Sequence, residues 1–553
     1  MFREKGTILM QRRTFLAGTA AAISAAALQG VATASSGESR RVVVRTAAGL
    51  VAGERAGRLA VFRGVPYAQP PVGELRFASP RPVRPWHGVR EATAFAPPSY
   101  QTVLPGSSED GLYANVWTPD TRGARPVLVY IHGGGWRLGA GSDPNYDGAR
   151  LADRGDLVVV NFNYRLGPFG WGQHEDLTDD RTGSCGNWGL QDQVALLHWV
   201  RENAAAFGGD PGNITLAGTS AGGASTWQLG LLPELRGIIR RIVPISACHV
   251  WSPATSLTPA DARAAYATIA ARLGTTVRGL REVPAVTLQN AWDTLFAGSP
   301  VQRVVDSGRE YRGPVLDGRW LPAFDYQNHT QHVPVLSIHT STEGAFYTAP
   351  DSPQPDPRPV PGTDAELKVR IREFLEKGAV RVTDDQVDAC VTAYRAAAEA
   401  DGLPADPLSL WTEVWGDGLF RYQIVRLAER HARLGHSPLY LMEFAHPTRP
   451  PFSGTPHEAT SKFLFATYGL PKNAAKFGDG PLEREVSDTF IDFVAAFART
   501  GVPHADGAPA WPVFDPGLPS TMILGGAAVT RVARTPKVRQ LEFWDSAGWV
   551  PKP

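Results

Sequence analysis

Short, nearly unbroken apolar runs alternate with helical stripes along most of this chain of 553 residues. Such runs are typical of β-strands buried on both faces, and they occupy residues 127–131, 157–162, 214–217, 242–245, 333–338 and 439–444. Between them, apolar side chains recur at helical spacing, as at Leu190, Val194, Leu197 and Val200 and at Val486, Phe490, Phe493 and Phe497. We therefore predict an α/β fold with a central, mostly parallel sheet flanked by helices.

Two long segments, 250–325 and 345–425, contain no clear strand run. We predict that they form helical cap insertions over one end of the sheet. From Arg41 onward the sequence has no repeat, no charge run and no long linker. Residues 41–550 are therefore predicted to form a single domain.

The charge balance and the cysteine content argue against several classes of protein. Lys+Arg 55 against Asp+Glu 54 gives a net charge of +1, so no overall field favours a nucleic-acid partner. The chain has 3 cysteines and neither a Cys-x-x-Cys nor a His-Glu-x-x-His pattern. We therefore expect no metal site and no other cofactor.

The N-terminal segment resembles a twin-arginine signal peptide. Arg12 and Arg13 precede an apolar, alanine-rich run at 17–28, and Ala32-Thr33-Ala34 has the small-x-small pattern of a cleavage site. The run is too short and too weakly apolar to span a bilayer. We expect residues 1–34 to be removed on export, which leaves a secreted or extracytoplasmic protein without stable membrane insertion.

A candidate nucleophile directly follows the run at 214–217, in the pentapeptide Gly218-Thr219-Ser220-Ala221-Gly222. The pattern Gly-x-Ser-x-Gly between a strand and a helix is typical of a nucleophile elbow, a tight turn that exposes the serine hydroxyl. Glycines are needed there because side chains would collide with the strand and the helix. The alternative is a glycine-rich turn with a structural serine, but the strand context favours Ser220 as the nucleophile.

A second glycine-rich element directly follows the run at 127–131 and reads His132-Gly133-Gly134-Gly135-Trp136. Acyl transfer develops a negatively charged oxygen, and consecutive glycines let backbone N–H groups converge on it. A phosphate loop would instead call for a following helix or a Gly-Lys-Ser/Thr pattern, and the sequence indicates neither. We predict an oxyanion hole formed by the N–H groups of Gly134, Gly135 and Ala221.

Several motifs, in the same order along the chain, resemble those of the type-B carboxylesterase family, which is related to the cholinesterases. They are the stretch 62–77, Ser108-Glu109-Asp110, the glycine loop, Phe207-Gly208-Gly209-Asp210-Pro211 and the elbow. The resemblance covers nearly the whole chain after Arg41. It implies the α/β-hydrolase fold, a serine hydrolase of carboxylic esters with a Ser, Glu, His triad, and a structural ion pair between Arg76 and Glu109.

The triad acid is expected after Ser220 in the chain. Glu343 lies just past the run at 333–338, at the end of a parallel strand where ligand-facing groups lie. The family's acid precedes a glycine at this point, so the resemblance implies the same residue. Three aspartates are alternatives, but they come before the strand and are more typical of turns: Asp306, Asp317 and Asp325.

The histidines that lie late enough to be the triad base are His431, His436, His446, His457 and His504. The resemblance selects His457, because Gly454-Thr455-Pro456-His457 matches the family's Gly-x-x-His. The family usually places a Glu three residues later, where this chain has Thr460. The resemblance also matches Ser246 with a buried serine behind the site.

Aromatic residues near these motifs predict an apolar pocket for a small-molecule ester; they are Trp136, Phe346, Tyr347 and Phe452. Cholinesterases place a Glu at the position of Thr219, so the resemblance argues against an acetylcholine substrate. Two alternatives stay open, an interfacially activated lipase and a non-catalytic binding protein on the same fold.

Overall fold

The computed structural model describes residues 41–247, 258–295, 313–321, 330–348, 360–376, 381–435, 437–526 and 528–547. The predicted signal peptide at 1–34 lies outside these described residues. So do Asp306, Asp325 and His436 among the alternative site residues.

The described strands form one sheet, with bounds β1 (Arg41–Thr46), β2 (Gly49–Ala56), β3 (Leu59–Pro66), β4 (Val89–Glu91), β5 (Tyr113–Thr118), β6 (Arg125–Ile131), β7 (Val158–Phe162), β8 (Gly209–Thr219), β9 (Ile239–Ile245), β10 (Val335–Thr340), β11 (Leu439–Phe444), β12 (Ser520–Leu524) and β13 (Thr530–Arg534). They lie side by side in the order β1-β2-β3-β5-β7-β6-β8-β9-β10-β11-β12-β13, and β4 pairs with β2. Neighbours from β7 to β12 in this order are parallel. The pairs from β1 to β7 and the pair β12 with β13 are antiparallel.

The six apolar runs correspond to β6 through β11, so the predicted parallel centre of the sheet is confirmed. The sequence analysis missed the strands on either side of that centre. Several of these strands present one face to solvent, as the alternating burial of β1 and the mostly exposed β13 show. Such strands carry few consecutive buried residues, whereas the buried apolar runs at 59–62 of β3 and 522–524 of β12 were not recognised.

The described α-helices are α1 (Ala149–Gly155), α2 (Gly167–Gly170), α3 (Trp188–Asn203), α4 (Ala221–Leu231), α5 (Pro259–Arg272), α6 (Ala285–Leu295), α7 (Ala345–Thr348), α8 (Asp364–Leu375), α9 (Asp384–Ala400), α10 (Pro407–Gly416), α11 (Tyr422–Leu434), α12 (Ala459–Leu464), α13 (Pro471–Phe477), α14 (Pro481–Thr500) and α15 (Val538–Ala547). The two predicted stripes lie on α3 and α14. In the described parts of 250–325 and 345–425 there are helices and no strand of the sheet, as predicted.

The two faces of the sheet bury separate hydrophobic cores. Along β6, Val127 and Val129 point into one core together with residues of α3, whereas Leu128 and Tyr130 point into the other core together with residues of α14. Successive side chains of a strand alternate between faces, so a strand covered on both sides needs apolar residues at every position. This packing explains the unbroken runs in the sequence.

The described residues from Arg41 onward belong to one compact unit. Of the helices described, none is long and apolar enough to cross a membrane. The parallel centre brings the carboxyl ends of β6, β8, β9 and β10 to the same edge of the sheet, and the candidate site is built there.

Candidate active site

Ser220 occupies a one-residue turn between the end of β8 and the start of α4. Its backbone angles are φ 61 and ψ −124, a conformation that L-residues rarely adopt and that costs on the order of 1–3 kcal/mol. Two hydrogen bonds hold the turn: its N–H donates to the carbonyl of Ile245 at 2.9 Å, and its carbonyl accepts from the N–H of Ala224 at 2.9 Å. The predicted elbow is therefore present in the backbone.

The glycines of the elbow are dictated by close backbone contacts. A Cβ added at Gly218 would collide with the carbonyl of Gly222, and one added at Gly222 would collide with the carbonyl of Ile131. These partners are backbone atoms of packed elements, which cannot rotate away. A strand followed at once by a helix is possible here only because both positions lack a side chain.

The glycine loop after β6 packs directly against the elbow. A Cβ at Gly133 would lie 3.0 Å from the Cβ of Ser220, and the left-handed φ values of Gly134 (109) and Gly135 (62) turn the chain past that point. Among the described residues, no group accepts a hydrogen bond from the N–H of Gly134, Gly135 or Ala221. Gly134 and Gly135 line the same cavity as Ser220, and Ala221 directly follows Ser220 in the chain.

His132, the first residue of the glycine loop, holds the loop in place through its ring. Its buried ring stacks on Tyr164 with centroids 4.5 Å apart, and its Nδ1 donates to the carbonyl of Gly133 at 2.8 Å. Burial lowers the pKa of this imidazole to about 4. His132 is therefore neutral near pH 7 and adds no charge under the loop.

Glu343 lies in the turn after β10 and is 2% exposed. Its Oε1 accepts from the backbone N–H of Thr340 at 2.8 Å and from the hydroxyl of Ser246 at 2.6 Å. Its Oε2 lies 2.5 Å from Nδ1 of His457. Both carboxylate oxygens are therefore engaged, and the side chain has a single defined orientation.

Ser246 is fully buried just past β9 with a φ of 44, and its N–H donates to the carbonyl of Ile338 at 2.7 Å. This strand-to-strand bond sets the position from which its hydroxyl reaches Glu343. Ser246 therefore contacts Glu343 directly, and its role as a residue behind the site stays a prediction.

His457 presents its second ring nitrogen, Nε2, without a hydrogen-bond partner among the described residues. His457 and Ser220 line the same cavity, but the structure contains no hydrogen bond between them. Catalytic hydrogen bonds are often long without substrate and tighten in the complex. The structure thus brings Glu343 and His457 into direct contact and Ser220 into the same cavity.

The other described candidates for the triad acid and base make contacts outside the cavity that holds Ser220. Asp317 accepts backbone N–H groups of its own turn, His431 bonds to the carbonyl of Ser437, and His446 lies 3.7 Å from Glu483. His504 is exposed beside Asp506. None of these described residues lines the cavity that holds Ser220.

The cavity has a volume of about 580 Å³, and its lining includes Phe346, Tyr347 and Phe420. The first two agree with the predicted apolar pocket. Trp136 and Phe452, which were predicted to line it, do not: Trp136 is 1% exposed and donates its indole N–H to Ser225, and Phe452 lies under the ammonium of Lys476.

Phe420 is a site residue that the sequence analysis missed. Its ring centroid lies 4.3 Å from that of His457. It belongs to a π-helical turn, Asp417–Arg421, between α10 and α11, and such turns are frequent at functional sites. No local sequence pattern signals a π-turn, so only the helical character of this segment was predictable.

The predicted pair Arg76–Glu109 is present and is structural. Arg76 donates through Nε to Glu109 at 2.6 Å and through Nη1 to the carbonyls of Leu280 and Val283. These bonds tie the N-terminal part of the chain to the helical segment around α5 and α6. Among the described residues, no group of three or more His, Cys, Asp or Glu side chains is arranged to hold a metal ion.

The sequence profile of the carboxylesterase family matches residues 40–544 of this chain. The chain belongs to the carboxylesterase family. This carboxylesterase is 31% identical to the para-nitrobenzyl esterase of Bacillus subtilis over 500 residues, which cover 87% of this chain and 94% of the relative. It is 33% identical to the phenmedipham hydrolase of Pseudarthrobacter oxydans over 521 residues, covering 89% and 97%.

Solved structures agree with these sequence comparisons. A crystal structure of a Geobacillus stearothermophilus carboxylesterase matches with a TM-score of 0.75 at 32% identity, covering 91% of this chain and 100% of that one. The resemblance and the α/β-hydrolase fold are thereby confirmed. As a member of this family the chain is a carboxylic ester hydrolase of the serine type. The roles of Ser220, Glu343 and His457 stay predictions.

Proposed function

We propose that this carboxylesterase cleaves esters through an acyl-enzyme formed on Ser220, with His457 as general base and acid and Glu343 as the residue that orients His457. The contact between Glu343 and His457, beside a cavity that Ser220 also lines, is the observation that carries the proposal. A strained serine at an elbow and a histidine held by a buried carboxylate are the parts that nucleophilic acyl transfer needs.

The first half of the reaction follows from the proton positions. A carboxylate only accepts hydrogen bonds, so the contact with Glu343 assigns the proton of neutral His457 to Nδ1 and leaves Nε2 as the base. Nε2 removes the hydroxyl proton as Oγ of Ser220 attacks the ester carbonyl carbon. The imidazolium then gives that proton to the departing alkoxide, which leaves as an alcohol.

In the second half, water attacks the acyl-enzyme while Nε2 takes its proton. Collapse of the tetrahedral intermediate returns the proton to Oγ and releases the carboxylic acid. In both halves the N–H groups of Gly134, Gly135 and Ala221 donate to the developing oxyanion. Removal of one such donor typically raises the barrier by about 2.7–4 kcal/mol.

Ser246 is proposed to act through Glu343. Its hydroxyl and the N–H of Thr340 both hold Oε1, so that Oε2 stays directed at His457. Ser246 is therefore a positioning residue that has no contact with the ester.

Active-site labelling tests the proposal. A fluorophosphonate probe should label the wild-type protein on Ser220, and Ser220→Ala should keep the folded circular dichroism spectrum while losing both labelling and hydrolysis of 4-nitrophenyl butyrate. The control is Ser409→Ala, which alters a half-buried serine at the start of α10, outside the cavity, and should label like the wild type. Retained hydrolysis in folded Ser220→Ala would refute the nucleophile assignment.

We further propose that residues 41–550 act as one catalytic domain and that the chain is exported by the twin-arginine route. The paired Arg12 and Arg13 before an alanine-rich run support export. N-terminal sequencing of protein recovered outside the cytoplasm should begin near residue 35, and Arg12→Lys with Arg13→Lys should keep the protein inside the cell. Export of the double variant at the wild-type level would contradict this route.

A further inference from the structure

The lining of the cavity also includes charged residues. Lys462 on α12 and Lys472 and Lys476 on α13 line the cavity, together with the carboxylates of Asp143 and Glu458. The same cavity holds Ser220 and His457. An ester held for attack by Ser220 therefore has these charges within its surroundings.

The two carboxylates each pair with a different lysine. Asp143 lies 3.6 Å from the ammonium of Lys472, and Glu458 lies 3.0 Å from that of Lys476. Three ammonium groups face two carboxylates, so one positive charge is left over; Oε2 of Glu458 has no hydrogen-bond partner among the described residues, but it makes no ion pair within 4 Å with Lys462. Lys462 is the cation that remains.

Lys462 has no ion pair and no side-chain hydrogen bond with the described residues, although it is only 9% exposed. Burial lowers the pKa of its ammonium, and the attraction of Glu458 and Asp143 offsets this only in part. The side chain is mostly buried and lines the cavity, and a cation that is partly removed from water without a close partner costs free energy.

Neighbouring neutral groups among the described residues do not accept a hydrogen bond from the ammonium of Lys462 either. The side-chain amides of Asn145 and Asn473, which line the same cavity, bond to each other at 2.9 Å, and the Asn473 amide also donates to the carbonyl of Thr467 at 2.7 Å. The backbone of Lys462 is held in place, because its carbonyl accepts from the N–H of Thr467 at 2.7 Å. The ammonium is thus carried on a fixed backbone and lacks an acceptor.

We propose that Lys462 forms an anion subsite of the active-site cavity, so that this carboxylesterase prefers esters that carry a carboxylate on their acyl or alcohol part. The inference rests on the proposed function, because the subsite acts on the ester that Ser220 attacks. A substrate carboxylate would supply the acceptor that Lys462 lacks, and Lys472 and Lys476 would add to the local positive potential.

The test compares matched pairs of esters that differ only in charge. On the acyl side the pair is the mono-4-nitrophenyl ester of adipic acid and the corresponding adipamic acid ester. On the alcohol side it is 4-hydroxyphenylacetate and 4-hydroxyphenylacetamide, each esterified with butyrate on the phenol. The ratio of kcat/KM values, anionic over neutral, is measured for the wild type, Lys462→Met, Lys462→Arg and Lys368→Met.

For at least one pair, Lys462→Met should lower this ratio about tenfold or more, mainly through KM, as expected for loss of a partly buried charge pair. Lys462→Arg should keep most of the ratio. Lys368→Met, which removes an exposed lysine paired with Asp388 on the helical segment, should have the wild-type ratio. The affected pair tells which part of the ester carries the anion.

Free adipate gives a readout that does not depend on turnover. It should raise the Tm of the wild type with increasing concentration and leave the Tm of Lys462→Met unchanged, whereas adipamide should stabilise neither. A ratio that Lys462→Met does not lower for either pair would overturn the subsite. If the wild type hydrolyses no ester at all, the proposed function fails, and the adipate measurement alone then decides whether Lys462 binds anions.

Discussion

Nδ1 of His457 and Oε2 of Glu343 lie 2.5 Å apart, although 114 residues separate them in the chain. The carboxylate comes from the end of β10, and the imidazole comes from the loop between β11 and α12. Because β10 and β11 are parallel neighbours, their carboxyl ends meet at one edge of the sheet. The contact is therefore a consequence of strand order.

The first prediction concerns this contact. Glu343→Gln keeps the shape of the side chain but removes the charge and lets the amide present a donor to Nδ1, which favours the wrong tautomer of His457. We expect kcat to fall by about 10²–10⁴-fold with little change in KM. Steady-state kinetics with 4-nitrophenyl butyrate measure the effect.

The matched control is Asp317→Asn. The carboxylate of Asp317 accepts hydrogen bonds from backbone N–H groups of its own turn, outside the cavity. This variant should retain nearly wild-type kcat. A Glu343→Gln variant with wild-type kcat would show that another group orients His457.

The second prediction concerns the elbow glycine. Gly222→Ala introduces a Cβ that collides with the carbonyl of Ile131, so α4 must move away from β6. We expect a loss of about 3 kcal/mol or more in the free energy of unfolding, or no soluble protein. Urea unfolding followed by tryptophan fluorescence checks this.

Gly57→Ala provides the comparison. Gly57 has a φ of 60 and open space around its Cα, so an added methyl group meets strain but no collision. It should cost only about 1 kcal/mol. A cost of only about 1 kcal/mol for Gly222→Ala would mean that α4 accommodates the added Cβ and that the close contact does not require glycine at 222.

The third prediction is a pH dependence of stability. The pKa of His132 is about 4 in the folded protein, below the value of about 6.5 expected for the unfolded chain. Between these values the unfolded state binds a proton that the folded state does not, so His132 makes the free energy of unfolding fall as the pH is lowered. The slope from this residue is about 1 kcal/mol per pH unit on average from pH 6 to pH 4.

Urea unfolding of the wild type and His132→Asn at several pH values measures this slope. The free energy of unfolding of His132→Asn should lack the contribution of His132 to the slope against pH, whatever the absolute stability of the variant. His87→Asn, at an exposed position, should keep the wild-type slope. Identical slopes in the wild type and His132→Asn would contradict the neutral, buried state of His132.

The fourth prediction concerns the stability of Lys462→Met. Replacing the ammonium of a mostly buried lysine that has no ion-pair partner within 4 Å by an apolar side chain of similar length removes a desolvation cost. We expect the free energy of unfolding to rise by about 1–2 kcal/mol without ligand. Lys368→Met at an exposed ion pair should change it by less than about 0.5 kcal/mol. A lower Tm for Lys462→Met would mean that the ammonium contributes to stability.

The local order of the sequence was enough to predict the parallel centre of the fold, the elbow and the glycine loop. These features depend on residues within a few positions of one another. Unbroken apolar runs follow from burial on both faces, and Gly218 and Gly222 follow from a turn without room for a Cβ. The strands β1 and β13 were missed because exposed positions interrupt their burial and they depend on their neighbours for pairing, whereas β3 and β12 were missed although each contains a short buried run.

The choice of His457 among five late histidines came from the family resemblance, since nothing in the local sequence separates a catalytic imidazole from a structural one. Only the tertiary structure decided which side chains meet in space. Phe420 reaches His457 because a π-turn between two helices rotates its ring toward the cavity, and Lys462 lacks a partner because Asp143 and Glu458 pair with other lysines. Such contacts join residues far apart in the chain, and their distances are set by strand order and helix packing, which no local pattern encodes.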